Sequence, residues 1–289
     1  ALPISPKIQW PLVLFSMLAG CGGCCFAFAG VAGALGESTT VTLWATGISL
    51  VLVVVGAVCS MMHLATPRHA FAAVTHLLSF SGISVELIML GVVSALMAAY
   101  GAACLWFDNE LARLVLGIAG AVAGVVLAFV TGHGYLISSK PTWNTKKLPL
   151  AYTGTALVAG GFLYAVVSVA TGGVWAMELP VKLLLAVCAV FSAVTVAAYL
   201  GHLGMQTAKK NPTLFWVGIV VCGLVVPLAC AAILLAPLPS MAFVAVAAVG
   251  FVAAMAGGLS LRMLMWIVGA GFLFFFEDAQ ANRSAILNC

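Results

Sequence analysis

The chain has 289 residues, of which 64% are hydrophobic and 6% charged, with a formal net charge of +4 and a mean hydropathy of +1.24. A water-soluble domain carries about 25% charged residues, so this chain cannot cover a water-facing surface. It is read as an all-α integral membrane protein, and the composition excludes a soluble enzyme or a nucleic-acid-binding module.

Runs of about 20 apolar residues mark spanning helices. In chain order they fall at Trp10–Leu35, Val41–Leu64, Ile83–Leu105, Leu111–Ile137, Leu150–Thr171, Leu179–His202, Leu214–Pro237 and Met241–Gly258. The expected architecture is an eight-transmembrane-helix bundle, built as two four-helix halves, in a single membrane-anchor domain over 1–289. The spans lie within 10–258. A ninth run, Leu264–Phe276, has 13 residues, which is short for a span, so 259–289 is expected to be an interfacial C-terminal tail. Trp10–Leu35 is too long for the apolar core of a signal peptide, and no cleaved leader is expected. Gly and Ala recur through the spans, which permits close helix packing.

Eight spans put both termini and the loops after spans 2, 4 and 6 on one face. That face carries nine basic residues (Lys7, Arg68, Lys140, Lys146, Lys147, Lys209, Lys210, Arg262, Arg283), and the opposite face carries Arg113 and Lys182. The bias predicts cytoplasmic termini in a bacterial inner membrane; a basic face also suits an acidic partner. His63, His69, His76, His133 and His202 all fall on the basic face, as does Glu86 at the start of span 3. The membrane centre is expected to hold no ionisable side chain.

The polar island Ser60-Met61-Met62-His63-Leu64-Ala65-Thr66-Pro67-Arg68-His69-Ala70-Phe71, with Glu86 23 residues after His63, is the most distinctive segment. It resembles the Ser-x-x-His-Leu-Gly-x-Pro-x-Arg-Ala-Phe pattern of the dimethyl sulfoxide reductase membrane-anchor family (DmsC-like). Tyr135 followed by Pro141-Thr142-Trp143-Asn144-Thr145 resembles that family's segment after span 4. Gly258-Leu259-Ser260-Leu261-Arg262 is faintly similar to its terminal Gly-Glu-x-x-Gly-Arg. The chain departs from the patterns at Ala65, in the order Arg68-His69, and in having no Glu at 259 or 260.

The resemblance implies an anchor subunit that oxidises menaquinol to menaquinone and passes electrons to an iron–sulfur subunit, which feeds a molybdopterin catalytic subunit. It implies that the terminal substrate is handled elsewhere, that His63 and Glu86 are the quinol-site pair, and that the iron–sulfur clusters and molybdopterin belong to partners. No haem, metal or covalent cofactor is expected in this chain.

The residue chemistry fits independently. Quinol oxidation releases two protons with its electrons, and a base that takes a proton in concert eases the step. Histidine titrates near neutrality, and a carboxylate near a span is costly and often functional. Arg68 is a candidate for a quinone oxygen, a lipid phosphate or a partner carboxylate. Tyr135 and Trp143 read either as interfacial belt aromatics or as pocket lining. Cys21, Cys24 and Cys25 lie inside span 1, where packing is the simpler reading than metal ligation. Two other classes stay open: a haem b-type quinone-reactive subunit using His63, His133 or His202, and a secondary transporter, for which Pro227 is the lone mid-span helix breaker.

Overall fold

The computed structural model describes residues 8–62, 82–107, 109–138 and 140–269. Eight described helices are long and apolar enough to cross a membrane. They are α1 (Trp10–Ala34), α2 (Thr39–Met62), α3 (Gly82–Trp106), α4 (Glu110–His133), α5 (Lys147–Ala170), α6 (Leu179–Leu203), α7 (Thr213–Leu234) and α8 (Ser240–Gly269). A single turn at Trp175–Met177 precedes α6, and a short helix, Met205–Lys210, precedes α7.

The helices group as two sets of four. Within the first set α1 packs on α2 and α4, and α3 bridges α2 and α4; within the second, α5 packs on α6 and α8, and α7 bridges α6 and α8. The sets meet where α5 lies against α1 and α4. That places α1 and α5 centrally, and they are the most buried of the eight.

Local sequence accounts for the ends and the crossings. Pro11 and Pro180 sit in the first turns of α1 and α6, where a missing N–H is harmless. The Asn109 side chain accepts the Ala112 N–H at 3.0 Å and caps α4. α1 and α4 touch backbone to backbone at Gly23–Gly124 and Gly30–Gly117, a close approach that only small residues permit. α7 winds with i→i+5 hydrogen bonds over Thr213–Val225 and returns to α at Val226, next to Pro227. A proline there supplies no N–H and favours a break in the ladder.

The last helix corrects the sequence reading. α8 continues past Gly258 to Gly269, so Leu259–Gly269 belongs to a spanning helix and not to an interfacial tail. Arg262 moves with it, from the basic face to the bundle interior, where it is 0% exposed. It lies about 10 Å along the helix from Gly269. Arg262 is thus an ionisable side chain inside the bundle, toward the Gly269 end of α8.

Candidate functional site

The segment between α4 and α5 is built around Trp143. Its indole N–H donates to the Met265 carbonyl of α8 at 2.8 Å, and its ring is only 2% exposed. Lys140 lies over that ring at 3.8 Å. Two carbonyls of the same segment are held from α6: Tyr199 donates its hydroxyl to Thr142 at 3.2 Å, and His202 Nε2 lies 3.3 Å from the Pro141 oxygen. The Pro-Thr-Trp-Asn-Thr motif is therefore a plug, pinned by α6 and α8. At 2% exposure Trp143 is not a lipid-facing belt residue.

Tyr135 stands at the centre of the aromatic cluster that this plug closes. Its ring meets Trp143, Tyr152 and Trp266 at centroid distances of 5.7, 6.0 and 5.9 Å. Burial, reinforced by the neighbouring Tyr152 and Glu86, holds the Tyr135 phenol well above its usual pKa. It stays a neutral hydrogen-bond donor.

Glu86 approaches the same cluster from α3. The residue is half-buried, and its Oε2 would stand 4.0 Å from a Cβ placed on Gly134. That is ordinary van der Waals distance, so the carboxylate lies alongside the backbone at Gly134. Glu86 and Tyr135, separated by 49 positions in sequence, thus lie at the same end of the bundle, Glu86 beside Gly134 and near enough for its charge to act on the Tyr135 phenol.

Behind the tyrosines lies Arg262. Its Nε donates to Ser16 Oγ at 3.0 Å, and its Nη1 to Thr155 Oγ1 at 3.2 Å and to the Gly258 carbonyl at 3.0 Å. The guanidinium also stacks 4.2 Å from the Tyr152 ring centroid. All of these partners are neutral. A buried cation held by dipoles and a ring face acts on the neighbouring Tyr152 and Tyr135 phenols. Trp266, one helical turn beyond Arg262 on the same face of α8, has a buried indole N–H with no hydrogen-bond partner among the described residues.

Of the residues expected from sequence, the structure brings Glu86, Tyr135 and Trp143 to one end of the bundle. His63 and Arg68 lie outside the described residues, as do His69 and His76. His133 and His202 are exposed at that same end, His133 stacking on Phe129. Tyr152, Arg262 and Trp266 complete the cluster and were missed. The available signal was the spacing of Arg262 and Trp266, which puts a charge and an indole on one face of a helix. Among the described residues, no group of three His, Cys, Asp or Glu could hold a metal ion.

A family model described as the DMSO reductase anchor subunit (DmsC) matches residues 5–276. The chain belongs to the DmsC family. The match spans all eight helices and every residue of the cluster just described, so the fold and the clustered motifs belong to an anchor subunit of DMSO reductase-like complexes. No curated protein matches the chain.

Proposed function

We propose that this DmsC-family anchor binds menaquinol at the Glu86 end of the bundle, oxidises it, and delivers the electrons to an iron–sulfur subunit of a molybdopterin oxidoreductase. The observation that supports the reading is the gathering of Glu86, Tyr135 and the buried Arg262 cation, joined through Tyr152, at one end of the bundle. A carboxylate can take a quinol proton, a protonated phenol can hold a quinone oxygen, and a fixed cation lowers the cost of negative charge developing between them. His63 is the first proton acceptor in this scheme. It follows Met62, the last described residue of α2, and Glu86 relays the proton onward.

The same geometry supports a placement for the partner. Lys146, Lys147 and Lys209 are exposed at the end of the bundle that carries Glu86 and Tyr135. An acidic iron–sulfur subunit docked there would be steered by these charges. It would also receive electrons without crossing about 30 Å of hydrocarbon. The molybdopterin subunit is reached through it.

The test is quinol-dependent turnover in the assembled complex. Glu86→Gln and His63→Ala should each sharply reduce menaquinol oxidation, with the larger loss at His63. Reduction of the terminal substrate from an artificial donor should persist, because that route bypasses the membrane. Normal quinol-dependent turnover in either variant removes that residue from the mechanism.

A further inference from the structure

At the end of the bundle opposite Glu86 the structure opens a cavity of about 550 Å³ between α1, α2, α3 and α4, within the range of small-molecule sites. Its polar lining carries both signs of charge. Arg113 Nη1 donates to Thr39 Oγ1 at 3.1 Å, and the rest of its guanidinium fork makes no other hydrogen bond among the described residues. Glu110 sits one turn earlier on α4, exposed and without a side-chain hydrogen bond among the described residues. Glu37, also in the lining, is already held: it accepts from Ser38 N at 2.9 Å, Ser168 Oγ at 3.1 Å and Tyr164 Oη at 3.3 Å.

The apolar continuation runs down α4. Leu111, Val115, Ile118 and Val122 are 68, 56, 44 and 62% exposed and recur at three- and four-residue spacing on one helix face. Val122 enters a second, wholly apolar hollow of about 410 Å³ that is also lined by Phe28, Leu157 and Cys188. Leu111 in the polar cavity and Val122 in the apolar hollow are separated by about 16 Å of helix. Trp106 and Phe107, 74 and 63% exposed beside the polar cavity, mark the headgroup level.

We infer that this face of α4 is a specific phospholipid site, for one lipid bearing an ethanolamine headgroup. The phosphate engages the open fork of Arg113, a bidentate geometry that suits guanidinium. The ammonium N–H groups engage Glu110, with Glu37 behind it. An acyl chain follows Leu111, Val115 and Ile118 into the hollow at Val122. A purely anionic headgroup would meet two carboxylates against one guanidinium. A fully methylated ammonium would have no N–H for Glu110.

The experiment is native mass spectrometry of the intact membrane complex, exchanged into micelles holding equal dioleoyl phosphatidylethanolamine, phosphatidylcholine and phosphatidylglycerol. One phosphatidylethanolamine should be retained preferentially. Arg113→Gln should lower that retention about tenfold or more, as loss of a charge-assisted contact implies, and Arg113→Lys should restore part of it. Glu110→Gln, at an exposed position, should erase the preference for ethanolamine over choline while thermal stability is kept. Val122→Trp should reduce retention by filling the hollow without touching the polar end. Equal retention of all three lipids, preference for phosphatidylglycerol, or indifference to both Glu110→Gln and Val122→Trp would each overturn the assignment.

Discussion

Replacing Gly124 with alanine tests the packing of α1 on α4, the helix that leads to Tyr135. A Cβ at Gly124 would collide with the Gly23 carbonyl oxygen and lie 2.7 Å from its carbon and 3.2 Å from its Cα. The obstacle is backbone, so no rotamer change relieves it. Ordinary carbon contacts need about 3.5–4 Å, so α1 and α4 must part by about 1 Å. The second contact, Gly30–Gly117, lies seven residues away on each helix, so the strain extends along the crossing. Overpacking of this kind costs about 1–3 kcal/mol, whereas alanine's better helix propensity returns up to about 1 kcal/mol. The expected net loss is about 2 kcal/mol, at the upper part of that range because neither backbone can yield. Unfolding of the purified chain in micelles with a denaturing detergent, followed by circular dichroism, measures it. Gly47→Ala and Gly91→Ala are the controls: a Cβ there meets nothing within 4 Å, and both glycines are exposed, so these variants should match or slightly exceed the parent. A Gly124→Ala protein as stable as the parent, or a Gly47→Ala protein equally damaged, refutes the argument that backbone contact at Gly23–Gly124 fixes the α1–α4 crossing.

Other expectations follow from single contacts. Glu37→Gln replaces one acceptor oxygen with an NH₂ facing the Tyr164 and Ser168 hydroxyls or the Ser38 N–H, and should cost about 1–3 kcal/mol in the same unfolding assay. Trp143→Phe removes the hydrogen bond to Met265 and should cost about 1 kcal/mol; limited proteolysis at exposed Asn144 should then become faster. The raised pKa of Tyr135 has a defined sign. The folded state keeps the proton after the unfolded chain has lost it, so this contribution to stability is whole below about pH 10 and is lost as pH rises toward the folded pKa. Tyr135→Phe should flatten the alkaline limb of the stability curve. Single cysteines at Asn144 and Ser38, both exposed, should label from opposite sides of the membrane; labelling from one side would defeat the eight-span topology.

Hydropathy made the eight helices legible, because a lipid-facing helix must be apolar over its whole length and little else can satisfy that pattern. It failed at the end of α8 for a physical reason. Arg262 reads as a stop in any window of sequence, but its cost is met by partners far away in the chain: Ser16 on α1, and Thr155 and Tyr152 on α5. Tertiary satisfaction of this kind leaves no local trace. The site divides the same way. Glu86 stood out as a carboxylate in an apolar context, and Tyr135 and Trp143 came with a contiguous motif. Tyr152 and Trp266 looked like ordinary aromatics inside spans, and only folding shows that they flank Tyr135. Trp143 carried two sequence readings; its 2% exposure removes the lipid-facing one, and its hydrogen bond makes it a buried pin that joins the motif segment to α8.

The buried polar groups share a logic that follows from lipid as solvent. Between two helix sets in a bilayer there is little hydrophobic gain on association, so polar contacts and close packing must specify how the sets meet. Two such clasps are present, and both close on α5. Toward the site end, Arg262 of α8 ties α1 to α5 through Ser16 and Thr155. Toward the opposite end, Glu37, between α1 and α2, is held by Tyr164 and Ser168 of α5. Each clasp joins the first four helices to the last four, and each uses a charged group that water cannot satisfy in its place. The arrangement fixes α1 against α5 near both faces, and with it the α4 end that carries Tyr135. A charge that only had to orient a substrate could sit on a loop. Arg262 is 0% exposed and bonded to two other helices, which sets the relation between the halves and the field at the site with one side chain.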